Sequence, residues 1–164
     1  MTATTFQHQL AAYIPRVHRA ALGFLGEEQE AREVAQEALL KAYAARDRYD
    51  ESRPFYPWLY RIVKNTCLDA LARRRHRAVS GLQPERVANS EPSPLDRLSQ
   101  AEAIGQVRAA MEHLSPEQRE IISMRHFQDL TYAEIAQILD VAQGTVMSRL
   151  YRARKALLAV LEGS

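Results

Sequence analysis

The sequence predicts an all-helical protein built as two small domains with a linker between them. Apolar residues recur at three- and four-residue spacing almost throughout, while Val, Ile and Thr rarely alternate with polar neighbours; this is the period of helices, not strands. The stretch from Ala78 to Gln100 interrupts the pattern with three of the seven prolines, four serines and no aromatic residue. Such a composition buries too little surface to offset the entropy of ordering. Beyond it, two Ser/Thr-x-x-Gln/Glu signatures mark fresh helix starts. No repeat relates the flanks, so residues 1–77 and 101–164 read as two different helical domains joined by a flexible linker over 78–100.

The first helix is expected from about Thr5 to Phe24 and stops near Gly26, where a residue lacking Cβ can take a left-handed cap. A second begins near Glu27. Its residues Ala31, Val34, Ala35, Ala38, Leu39 and Ala42 follow the helical period and leave Glu30, Glu33, Glu37 and Lys41 on a predominantly acidic outer face. After two prolines, Pro54 and Pro57, a third helix is expected to start close to Pro57, since proline suits a first helical turn. It ends in the basic run Arg73, Arg74, Arg75, His76, Arg77. In the second half, Ser115-Pro116-Glu117-Gln118 reads as an N-cap, an N1 proline and a capping-box partner, and Thr131-Tyr132-Ala133-Glu134 repeats that grammar. A helix of roughly eight residues from Tyr132, a turn near Asp140 and a further helix carrying Val146 and Leu150 make a helix-turn-helix. Ala136 is small enough to let the two helices approach, and aspartate tolerates a left-handed turn position.

The net charge of +2 conceals local fields. Residues 1–77 hold 13 Lys/Arg against 9 Asp/Glu, and from Thr145 to Val160 the chain has Arg149, Arg152, Arg154 and Lys155 with no acid. Other classes are excluded more firmly. No apolar run nears the about 18 residues of a membrane span, and the N-terminus lacks the basic flank and apolar core of a signal peptide, so the expected compartment is the cytoplasm. The lone Cys67 forms no internal disulfide and reads as a small buried hydrophobe; it has no CxxC or HExxH around it, and no metal or other cofactor is expected. The five histidines are scattered and no nucleophile or phosphate-cradling signature occurs, so the chain does not read as an enzyme.

A helix-turn-helix places its second helix in the major groove, with N-terminal side chains at base edges and cations at phosphates. Gln143, Thr145, Ser148, Arg149 and Arg152 stand at the matching positions. The pattern alone also fits a trihelical protein-binding module whose basic helix is simply solvated. In the third helix Phe55, Tyr56, Trp58 and Tyr60 lie beside Arg61 and Lys64, a combination of stacking surface and charge that suits single-stranded DNA. About half of these large apolar groups must instead serve the core of so small a domain.

Three segments together resemble the extracytoplasmic-function sigma factors of bacteria, small initiation subunits of RNA polymerase. Residues 31–43, AREVAQEALLKAY, resemble the family's core-binding helix; Phe55 to Arg77 resembles its promoter-melting helix; and DVAQGTVMSRLYRARK, from Asp140 to Lys155, resembles its recognition helix. The resemblance implies that Glu33, Gln36, Glu37 and Leu40 bind core RNA polymerase. It implies that the loop Asp50–Pro57, with Phe55, Tyr56, Trp58, Arg61, Lys64, Asn65, Asp69, Arg73 and Arg74, holds the melted minus-10 strand of promoter DNA. Ser148, Arg149, Tyr151 and Arg152, with Gln143, Thr145 and Met147, would read or grip the minus-35 element. Met147 stands where the family commonly has a basic residue, so the minus-35 sequence does not transfer, and Asp140 stands where the family commonly has glycine. The family also implies an anti-sigma factor as a partner, and a linker whose acids Glu85, Glu91 and Asp96 enter the polymerase cleft. Two other functions fit parts of the sequence: a stand-alone helix-turn-helix regulator and a protein-binding helical adaptor. The regulator would need a sensing pocket and a dimer seam, neither of which the chain shows, and the adaptor would not need basic helices in both halves.

Overall fold

A computed structural model describes residues 1–81 and 95–163, with the backbone alone for 95–99. Among these residues the order is α1 (Ala3–Ala12), α2 (Ile14–Leu25), α3 (Glu28–Ala44), α4 (Phe55–Val79), α5 (Leu95–Met111), α6 (Pro116–Ile122), α7 (Tyr132–Leu139) and α8 (Gln143–Glu162), with no strand. A 3-10 turn, Arg46–Arg48, follows α3, and a π-turn, Ser123–Phe127, prolongs α6.

The expected first helix is two helices. Pro15 has no N–H to offer the Ala11 carbonyl, so the chain bends at Tyr13 and restarts as α2 with the proline in its first turn. The bend buries Phe6 and Leu10 on one side of it and Val17, Ala20, Ala21 and Leu25 on the other. Gly26 closes α2 at φ 74°, in the left-handed region, and its N–H bonds the Leu22 carbonyl. α4 begins at Phe55, a little before Pro57, with Pro54 at its N-cap. Both edges of the expected linker are helical: Ala78 and Val79 continue α4, and α5 opens at Leu95, where Leu95 and Leu98 restore helical spacing after Pro94. Glu85 and Glu91 lie outside the described residues, as does the side chain of Asp96.

The second half follows the local grammar closely. Both capping boxes form: Ser115 Oγ accepts from the Gln118 N–H, and Thr131 Oγ1 from the Glu134 N–H, with each partner side chain reaching back. Such a cap stabilises a helix by about 1 kcal/mol. α7 ends at Asp140, φ 54° and ψ 51°, whose N–H bonds the Ala136 carbonyl. α8 then runs back with Val146, Leu150 and Ala153 buried, one face at helical spacing.

The two halves do not keep separate cores. α2, α3 and α4 pack on one another across buried alanines, α6 to α8 form a second cluster with α5 along α8, and the clusters fuse where the π-turn rests on α2 and α7 crosses α4. Ser123 comes so close to α2 that a Cβ on Gly23 would stand 2.3 Å from its Oγ. Polar side chains finish this seam. Arg16 Nη1 bonds Glu134 at 2.7 Å while its guanidinium lies over the Tyr56 ring. The Tyr56 hydroxyl donates to Gln128 Oε1 at 3.2 Å, Tyr60 donates to Glu120 at 2.9 Å, and Lys64 Nζ meets the Glu120 carboxylate at 2.9 Å.

Asp140 offers a direct check of the turn. Asp140→Gly should leave the thermal midpoint unchanged or raise it, because glycine takes the left-handed conformation freely, whereas Asp140→Val should destabilise the fold by about 1–2 kcal/mol. Thermal unfolding followed by circular dichroism measures both.

Candidate nucleic-acid interface

On α3, burial of Ala31, Val34, Ala35, Ala38 and Ala42 turns Glu33, Gln36 and Leu40 outward. Leu40 is 71% exposed, a large apolar side chain in open solvent and not part of the core. Glu37 is half-buried. Its carboxylate pairs with Lys41 at 2.8 Å and with Arg73 of α4 at 3.6 Å; Lys41 pulls its pKa below the usual carboxylate range, against the opposing effect of burial, with Arg73 helping. Glu30 is engaged by Arg74, so the outer face is less acidic than its sequence suggests.

The aromatic run of α4 divides. Phe55 and Tyr56 are core: Phe55 packs edge-on to Phe6 and Tyr49, and Tyr56 stacks on Tyr13. Neither offers a face to DNA in this arrangement, because the small first half needs both rings to close its interior. Trp58 is only half-buried, against Phe6 and Tyr49. Arg61, Asn65 and Asp69 are exposed on successive turns, and Lys64 is turned toward the second half. Further along, Arg73, Arg75, His76 and Arg77 are exposed, but Arg74 points inward, donating to the Leu25 carbonyl at the end of α2 and pairing with Glu30. Arg74 thus serves the fold, tying α4 to the α2–α3 corner.

The loop before α4 is tied together by its own side chains. Asp50 Oδ1 accepts from the Ser52 N–H at 3.0 Å and from its hydroxyl at 2.7 Å, and these bonds lower its pKa. The Tyr49 hydroxyl donates to the Arg53 carbonyl at 2.7 Å. Beside this loop lies a cleft lined by Phe6, Arg46, Asp47, Tyr49 and Glu51, of which the sequence reading singled out only Glu51, as part of the Asp50–Pro57 loop.

α8 presents its N-terminal two-thirds outward. Gln143, Met147, Ser148, Arg149, Tyr151 and Arg152 are exposed, while Thr145 is half-buried. The Ser148 hydroxyl donates to the Thr145 carbonyl, and Arg152 Nε lies 3.4 Å from the Ser148 carbonyl, which steers the guanidinium along the helix. Arg154 is held differently, donating to His126 Nε2 at 3.1 Å. Burial and the flanking Arg154 and Arg125 lower the His126 pKa, so the ring accepts as a neutral imidazole.

Among the described residues no helix is long and apolar enough to cross a membrane, and no group of three or more His, Cys, Asp and Glu could hold a metal. Burial first, and then Glu30 and Glu37, push the Cys67 thiol up to about 12, which leaves it inert.

Comparison with known proteins agrees with the geometry. Residues 10–77 match the family described as Sigma-70 region 2, and residues 104–157 match Sigma-70, region 4. The chain is 31% identical to the RNA polymerase sigma-H factor of Pseudomonas aeruginosa, over 96% of this chain and 82% of that one. It is 34% identical to the ECF RNA polymerase sigma-E factor of Escherichia coli, over 93% and 80%. Among solved structures it resembles the sigma factor RpoE of Bartonella quintana in complex with the anti-sigma factor NepR, at TM-score 0.67 and 28% identity, covering 96% of this chain and 97% of that one. Two matched regions in order, a helix-turn-helix with an outward basic face and relatives aligned over nearly the whole of this chain disfavour a stand-alone regulator, and the chain belongs to the ECF sigma factors, which recognise promoters for RNA polymerase.

Proposed function

We propose that α3 docks on core RNA polymerase through Glu33, Gln36, Glu37 and Leu40, that α4 and the Asp50–Pro57 loop hold the melted minus-10 strand, and that α8 reads the minus-35 duplex. The observation that supports this division is the outward face of each helix. α3 exposes Leu40 among polar residues, α4 exposes Arg61 and Asn65 beside a half-buried Trp58, and α8 exposes Arg149 and Arg152 with no acid near them. An apolar anchor ringed by polar groups suits a protein partner. Cations beside an aromatic edge suit unpaired bases, and a basic helix following a tight turn suits the major groove. In this role Met147, 55% exposed, offers a thymine methyl an apolar contact where a cation would grip phosphate.

The protein acts in the cytoplasm as a binding subunit, with no catalytic group or cofactor of its own. It falls under an anti-sigma factor, as its structural relative from Bartonella quintana does with NepR. Each DNA surface is small and the net charge is low, so isolated binding is weak and the polymerase supplies the remaining affinity.

Glu33→Lys combined with Leu40→Ala should abolish capture of core polymerase while the helical signal stays unchanged, since both positions are solvent-exposed; unchanged co-purification would dismiss α3. Alanine at Arg149 or Arg152 should weaken binding to minus-35 duplex by about 1–3 kcal/mol where the side chain meets a base, and a phosphate-gripping arginine should lower the salt slope by about one. Fluorescence anisotropy across a salt series reads both, and promoter-dependent run-off transcription tests the whole.

A further inference from the structure

We infer that DNA contact does not end with α8: Arg154 and His126 together hold a backbone phosphate at the rim of the minus-35 groove, and His126 takes up a proton as they do. The inference rests on the reading of α8 as the minus-35 helix. Met147, Tyr151 and Arg154 follow one another at four- and three-residue spacing and are all exposed, so they form one stripe along α8. A helix rises about 1.5 Å per residue, which places Arg154 about 10 Å beyond Met147, a length comparable with the major groove's width of about 12 Å. With Met147 at the base edges, Arg154 comes out among the phosphates.

A second element meets it there. The π-turn, closed by the Gln128 N–H on the Ser123 carbonyl, buries Ser123, Met124 and Gln128 and leaves His126 exposed beside α8. Arg154 Nε donates to His126 Nε2 at 3.1 Å, so the guanidinium is held by a neutral acceptor, and among the described residues no carboxylate pairs with it. The other groups about the ring do not supply one. Arg125, on the same turn, takes Asp129 at 3.5 Å and lies over the Tyr132 ring of α7, while α2 meets the turn at the uncharged Gly23. Lys155, next to Arg154, is exposed and adds a further cation. Cations without an acid of their own suit an anionic ligand, and on duplex DNA that ligand is the phosphate.

The proton follows from the same bond. In the free protein Nε2 is an acceptor, and a proton there would break the bond to Arg154 and set two cations 3.1 Å apart. Burial, Arg154 and Arg125 all hold the ring neutral. A phosphate changes that balance, because its oxygens accept from the guanidinium and from a protonated imidazole together and its charge offsets both. The bound ring keeps its proton to a higher pH than the free one. Affinity therefore gains as pH falls through that interval and loses the gain as pH rises.

Fluorescence anisotropy of the full-length protein on a labelled minus-35 duplex, between about pH 8 and about pH 6, reads the uptake. Wild-type affinity should rise by roughly three- to tenfold as pH falls, tenfold being the gain for a bound pKa one unit above the free one. His126→Gln keeps an acceptor for Arg154 but cannot take the proton, so it should match the wild type at the alkaline end and fall behind it toward the acid end. The other four histidines remain in that variant, so the difference between the two profiles belongs to His126. Arg154→Gln should lower the salt slope by about one. Both positions are exposed, and circular dichroism checks that each variant folds. Parallel pH profiles of wild type and His126→Gln overturn the inference, as does an unchanged salt slope in Arg154→Gln. Alanine at both Arg149 and Arg152 separates the two levels: if duplex binding survives, α8 is not the reader and the inference falls with it; if binding is lost while the pH profiles stay parallel, the inference alone falls.

Discussion

Helix α4 is apolar on more than one side, and the rest of the molecule follows from that. Its buried residues, Phe55, Tyr56, Leu59, Tyr60, Val63, Thr66, Cys67 and Ala70, cover an arc too wide for one neighbour to fill. Phe55 turns to the α1 side, against Phe6, whereas Tyr56 and Tyr60 also reach Gln128 and Glu120 of the second half. A buried tyrosine needs a partner for its hydroxyl. Both hydroxyls find theirs across the seam, and burial raises the pKa of each, which keeps them neutral donors. The second half is therefore not merely tethered beside α4; it completes the environment of two α4 side chains.

What could be read in the sequence was local. Gly26, Ser115, Thr131 and Asp140 are positions where backbone conformation dictates residue type within four residues, and each does in the structure what its neighbours implied. The burial of Val146, Leu150 and Ala153 and the exposure of Arg149 and Arg152 follow from one helical period. The bend at Tyr13 was also written there, in Pro15, but an unbroken apolar period masked it.

What could not be read was long-range. Nothing near Phe55 or Tyr56 distinguishes a ring that stacks on a base from a ring that fills a core, because both uses ask for the same side chain. Arg74 sits in a basic run that looks uniformly solvated, yet it alone of the run caps the Leu25 carbonyl. The joining of Glu120 to Lys64 depends on how α6 meets α4, and no periodicity in either segment encodes the angle between them.

The seam also changes how salt should act on the free protein. Added salt weakens contacts between cations and DNA phosphates by removing the entropy of counterion release. The pairs that close this molecule, Lys64–Glu120 and Arg16–Glu134, are partly exposed and are screened by the same ions. Salt thus loosens the seam between the halves as well as any contact with DNA phosphates. The dependence of DNA affinity on ionic strength in the isolated protein therefore folds in a change within the protein itself as well as the release of counterions from DNA.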